Sequence, residues 1–108
     1  MDILKPYRKR IDEIDDQIID LLARRLKIVE EVAAVKGERG IPAVLEGRIE
    51  EVRERCAARA GGQGLDPELA RRLYTVLICW CCDYEEELMG EECRKISKTL
   101  GGKGQKRA

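Results

Sequence analysis

The sequence predicts an all-α protein: a three-helix chain with one long N-terminal helix, intertwined with a second copy as a homodimer. Three observations carry this. Apolar residues recur at helical spacing along the first third of the chain, with no Gly or Pro among them. Only 3 Pro punctuate a composition that is 39% charged and 44% hydrophobic, the balance of long amphipathic helices. No segment shows strand-like alternation, and no internal repeat is present. At 108 residues the chain has room for one domain.

The first helix is expected from Pro6 to Lys36. Ile11, Ile14, Ile18, Leu22, Val29 and Val32 form its stripe, Pro6 suits a first turn, and Gly37 and Gly40 end the pattern. At ~1.5 Å per residue the rod measures about 45 Å. A compact chain of this size has a radius of gyration near 13 Å, too small to cover such a stripe, so a second copy should do so. Gly37 to Val44 (GERGIPAV) reads as a loop. A second helix follows from Leu45 to Ala60, with Ile49, Val52 and Cys56 on one side, and Gly61-Gly62 should stop it. Asp66-Pro67 is an N-cap followed by proline in the first turn. It opens a third helix, Pro67 to Met89, apolar almost all round from Leu73 to Cys82 and therefore central and buried. Residues 1–90 form the helical domain; 91–108 are a short extension ending in the basic, Gly-rich Gly101–Ala108.

Composition excludes several kinds of function. Lys plus Arg equal Asp plus Glu at 21 each, without the basic excess of a nucleic-acid binder. The absence of His removes imidazole general bases, Ser-His-Asp triads and His-ligated zinc. With no Phe and 4% aromatics, the core must be aliphatic. Nothing approaches the ~20 apolar residues of a membrane span, and the charged N-terminus does not read as a signal peptide. A cytoplasmic chain with reduced thiols is expected. Cys79, Cys81 and Cys82 should be buried and inert; Cys79 and Cys82 share a helix face, but two thiolates make a thin metal site, so no metal is expected.

The informative residues are charges that fall on apolar stripes. At ~100° per residue, Arg25 and Lys36 project within about 40° of Ile11, beside Ile18, Leu22 and Val29, and Arg8 lies at the stripe's edge. Arg10, Arg24 and Lys27 point away and should be solvated. Snorkelling at the stripe margin or an ion pair in the dimer seam explains such cations, as does a pocket for a small dicarboxylate or phosphate. On the third helix Tyr74, Ile78, Cys81 and Glu85 share a face, whereas Glu86 and Glu87 should face water. Glu85 either pairs with one of those cations or is a carboxyl that burial favours in its protonated, hydrogen-bond-donating form.

These residues resemble the all-helical class of chorismate mutases, the type II family, over roughly Tyr7 to Met89. The resemblance rests on YRKRIDEIDDQIIDLLARR, on VAAVK ending at Lys36, on IPA with Arg48 six residues after Pro42, and on GLDPELARRLYTVLI. The spacing of Arg8, Asp15, Arg25 and Lys36 is distinctive. What the resemblance implies is a domain-swapped homodimer with two shared sites and no cofactor, rearranging chorismate to prephenate in aromatic amino acid biosynthesis. It implies that Arg8 crosses from the partner chain to one substrate carboxylate and that Arg25, with Arg48 nearby, grips the other. Lys36 would donate to the ether oxygen, Glu85 stands where the family has a second donor to it, and Cys81 lines the pocket. Such a pericyclic reaction needs held geometry and stabilised charge, not a histidine.

Two positions depart from the family pattern. Leu45 stands where an acid is common, and Ile49 replaces the Glu that binds the C4 hydroxyl of chorismate. Isochorismate-pyruvate lyase, a relative of the same fold, has an aliphatic residue at that second position, shares the IPA loop and has a Trp where this chain has Trp80. It and 4-amino-4-deoxychorismate mutase are the alternative activities. A non-catalytic, metabolite-sensing helical dimer is the alternative of another class.

Overall fold

The computed structural model describes the backbone of residues 2–99 and the side chains of residues 2–90. The basic tail from Gly101 lies outside the described residues. Three helices make up the chain: α1 (Lys5–Arg39), α2 (Glu46–Gly62) and α3 (Pro67–Thr99).

Each helix runs further than its glycines suggested. Pro6 sits in the first turn of α1 as expected, but the helix continues through Gly37 and stops at Gly40. Gly40 has φ 66°, a left-handed conformation that glycine adopts without penalty, and there the Ile41 N–H reaches back to the Lys36 carbonyl at 2.9 Å. Helix α2 likewise passes through Gly61 and Gly62 and begins at Glu46, with Leu45 as its cap. It ends with the same device, Gly64 at φ 79° and the Leu65 N–H on the Ala60 carbonyl at 2.9 Å. A glycine pair costs a helix stability without forbidding it; only the left-handed turn ends it. Asp66 caps α3 as expected, its Oδ1 accepting the Glu68 N–H at 2.9 Å. That helix does not stop at Met89 but continues through Gly90 to Thr99.

Helix α3 packs against both α1 and α2 and is the central element. Val52, Ile78 and Cys82 are buried together, with Ile49, Cys56 and Tyr74 against them. The other buried apolar residues are Cys81 and five alanines (Ala33, Ala43, Ala57, Ala60 and Ala70), so the helices close over small side chains. The expectation that α3 is buried all round fails on one face: Leu69, Leu73, Val76 and Trp80, spaced four, three and four apart, remain exposed. Cys79 is also exposed, against expectation, while Cys81 and Cys82 are buried. The two outcomes have one cause, since α1 and α2 both cover the side of α3 that carries Ile78.

Among the described residues, nothing covers the first half of α1. Every described side chain from Asp2 to Leu21 is exposed, including Ile11, Ile14 and Ile18. The described chain is accordingly drawn out, 65 × 33 × 22 Å with a radius of gyration of 18.6 Å, against about 13 Å for a compact domain of this length.

A guanidinium clamp ties α2 to α3. Arg71 donates to both Glu54 oxygens, with Nε at 3.0 Å from Oε2 and Nη2 at 2.9 Å from Oε1, and its Nη1 reaches Glu68 at 3.4 Å. The Arg71 hydrogen bond holds the Glu54 carboxyl below the usual carboxylate range, and Glu54 in turn pushes the guanidinium up. A carboxyl depressed by folding adds stability above its unfolded value and loses it as pH falls through its folded one. Arg71→Ala should therefore lower Tm at neutral pH and flatten the acid limb of a Tm-against-pH curve. An unchanged acid limb would show that the clamp contributes nothing.

Candidate active site

Three helical faces converge on one cavity. On α1 Arg25, Val29, Val32 and Lys36 are spaced four, three and four apart, which puts them on one side of the rod. Leu45, Arg48, Ile49 and Val52 form the matching face at the start of α2, and Ile78, Cys81, Cys82 and Glu85 that of α3. Between them lies a cavity of about 290 Å³. Its walls are mostly apolar, as ligand pockets usually are, with a few polar groups converging on them.

Those polar groups are mainly cations. The Lys36 ammonium donates to the Ala43 carbonyl at 2.8 Å and to Glu85 Oε1 at 2.9 Å. Both side chains are largely withdrawn from water, 13% exposed for Lys36 and 8% for Glu85. Among the described residues, two of the three ammonium N–H groups are engaged, by Ala43 and Glu85. Arg25 directs Nη1 at the Cys81 sulfur, 3.5 Å away. Arg48 stands at the mouth, exposed and paired with Glu51 one turn along α2. Burial pushes the Cys82 thiol up, the Glu85 charge adds to that effect, and Lys36 opposes it. Arg25, Lys36 and Arg48 against Glu85 give the lining a net charge of +2, the complement of a dianion.

Seven of the eight residues singled out in the sequence therefore line one cavity: Arg25, Lys36, Leu45, Arg48, Ile49, Cys81 and Glu85. Arg8 does not join them within the chain; it lies on the exposed start of α1, 2.9 Å from Asp2. Of the two readings of Glu85, the structure shows the ion pair, with the carboxylate accepting from Lys36 inside one chain and not across a seam. Arg10, Arg24, Lys27, Glu86 and Glu87 are exposed, as their helical angles indicated. Sequence reasoning missed the Ala43 carbonyl, because a main-chain acceptor in a turn leaves no mark on residue identity. Val52 and Ile78 were readable as stripe residues but not as pocket walls, and Ile28 lies off the stripe altogether.

Residues 7–86 match the family described as Chorismate mutase type II. The chain belongs to the chorismate mutase type II family. Among its relatives, a 4-amino-4-deoxychorismate mutase of Streptomyces venezuelae is 32% identical over 89 residues, 82% of this chain and 86% of that protein. A chorismate mutase of Methanocaldococcus jannaschii is 31% identical over 75 residues, 69% of this chain and 76% of that one. The T-protein of Enterobacter agglomerans is 35% identical over 106 residues, but they make up only 28% of its length. No solved structure gives a significant match. The family match spans all three helices and takes in every cavity residue named above. Among the described residues no helix is long and apolar enough to cross a membrane.

Proposed function

We propose that this member of the type II family is a chorismate mutase, converting chorismate to prephenate as a cytoplasmic homodimer with shared active sites. The observation that carries the proposal is the +2 lining of a small, otherwise apolar cavity, which suits a dicarboxylate. Arg25 and Arg48 would hold one carboxylate, Arg48 leaving Glu51 to do so, and Arg8 of the second subunit would hold the other. The free N–H of Lys36 would meet the ether oxygen. Negative charge grows on that oxygen as its bond to carbon breaks, so a preorganised ammonium is worth more in the transition state than in the bound substrate. Glu85 fixes that ammonium from the α3 side of the cavity. Cys81, in contact with Arg25, keeps the guanidinium on the cavity side of α3. Residues 1–90 are the catalytic domain, followed by the extension 91–108.

A second reading concerns the substrate alone. Leu45 and Ile49 offer no hydrogen-bonding side-chain group to the ring substituent of a chorismate-like molecule, and two relatives are 4-amino-4-deoxychorismate mutases. Chorismate, 4-amino-4-deoxychorismate and isochorismate should be supplied separately and the products identified. Prephenate from chorismate is the expected result. Exclusive turnover of the amino compound would transfer the assignment to it, and salicylate plus pyruvate from isochorismate would make the chain a lyase. Binding by calorimetry without turnover would leave a sensing dimer and overturn the enzymatic reading.

A further inference from the structure

Lys36 is held at both ends by the turn that follows it. Its carbonyl accepts the Ile41 N–H at 2.9 Å, and its ammonium donates to the Ala43 carbonyl at 2.8 Å. The reversal that makes both contacts possible is the left-handed Gly40 at φ 66°. Pro42 then stiffens the return, fixing its own φ and keeping Ile41 extended. Ala43 is 7% exposed, so its carbonyl has little water to turn to in place of the ammonium.

We infer that the Gly40–Ala43 turn is a positioning element for the Lys36 ammonium. The left-handed backbone of Gly40 delivers the Ala43 carbonyl, and that acceptor together with Glu85 fixes the direction of the one remaining N–H. Lysine has a long flexible stem and three equivalent donors, so one partner does not orient it. Glu85 belongs to α3 and shifts with that helix, whereas the carbonyl is anchored to the end of α1 itself. The two acceptors come from different elements, and the ammonium is placed only while both are in position. The inference rests on reading Lys36 as the group that meets the ether oxygen.

The test combines kinetics with a signal from the lysine itself. In Gly40→Ala the Cβ strains the left-handed turn, whereas in Gly40→Asn a residue that tolerates it takes its place. Gly40→Ala should lower kcat on chorismate about ten- to a hundredfold through a misplaced donor. KM should stay within about twofold, because the lost contact acts in the transition state. Gly40→Asn should restore kcat, and Pro42→Gly, which leaves the helix end intact, should reproduce the kcat-selective loss. ¹⁵N NMR should show a slowly exchanging Lys36 ammonium in wild type and Gly40→Asn, identified by its absence from Lys36→Met, and lose it in Gly40→Ala. Retention of both the ammonium signal and kcat in Gly40→Ala would overturn the inference, as would a Gly40→Asn variant as impaired as Gly40→Ala. If the wild type turns over no chorismate-like substrate, the functional reading fails alone, and the ammonium signal still decides whether the turn places Lys36.

Discussion

Lys36→Met is expected to lower kcat on chorismate by about 10²–10³-fold, the usual effect of removing one preorganised donor to a developing oxyanion. Methionine keeps much of the stem's volume and loses the charge, so the change tests electrostatics more than packing. It also leaves the Glu85 carboxylate, 8% exposed, without its cation, and breaking a buried pair from one side costs about 3–5 kcal/mol. Activity and stability should therefore fall together in the single variant. The double variant Lys36→Met/Glu85→Gln separates them: a neutral amide no longer needs the ammonium, so Tm should recover most of its loss while kcat stays low. Thermal denaturation and steady-state kinetics on the two variants decide the matter. A Lys36→Met protein that keeps wild-type kcat would remove the lysine from the reaction.

Mixing two inactive variants should restore activity. Arg8 lies outside its own chain's cavity, on the exposed first half of α1, whereas Arg25 lines the cavity directly. If sites are shared, Arg8→Ala and Arg25→Ala each disable every site in their own homodimers. A heterodimer of the two has one site in which both defects meet and one in which neither does. In a two-fold symmetric dimer with random exchange, about a quarter of all sites are then intact. Unfolding and refolding the variants together should recover about that fraction of wild-type kcat, with none recovered when they are refolded apart and mixed cold. Absence of recovery in the co-refolded sample, with each variant folded, would mean that Arg8 does not serve a neighbouring site.

Much of this arrangement was legible in the residues, because helical periodicity is a local property. The angle between Arg25 and Lys36 on one rod can be read without a structure, and so can the face that joins Ile78, Cys81 and Glu85. The Asp66-Pro67 start is equally local, one side-chain oxygen meeting one N–H. Helix ends were harder. Gly37, Gly61 and Gly62 look like stops, yet the stops are Gly40 and Gly64, and only their positive φ distinguishes them. The run from Leu73 to Cys82 points to burial yet leaves Leu73, Val76 and Trp80 exposed, because composition reveals how apolar a helix is, not which side has neighbours. The pairing of Lys36 with Glu85 needed the packing of α1 on α3, and the Ala43 carbonyl needed the path of the turn.

The alanines buried in the helix contacts have a consequence for how the pocket can vary. Large-to-small changes, the common way to loosen a core, have little to remove at Ala33, Ala57, Ala60 or Ala70. The sensitive direction is growth. A larger side chain at these positions has either to displace its neighbours or to move a helix axis away from an interaxial spacing of about 8–10 Å. Helix α3 carries Cys81 and Glu85 into the cavity, so moving it changes the gap between Glu85 and Lys36. Bulk added at these alanines thus reaches the pocket through α3, and residues away from the cavity lining can retune which molecules fit.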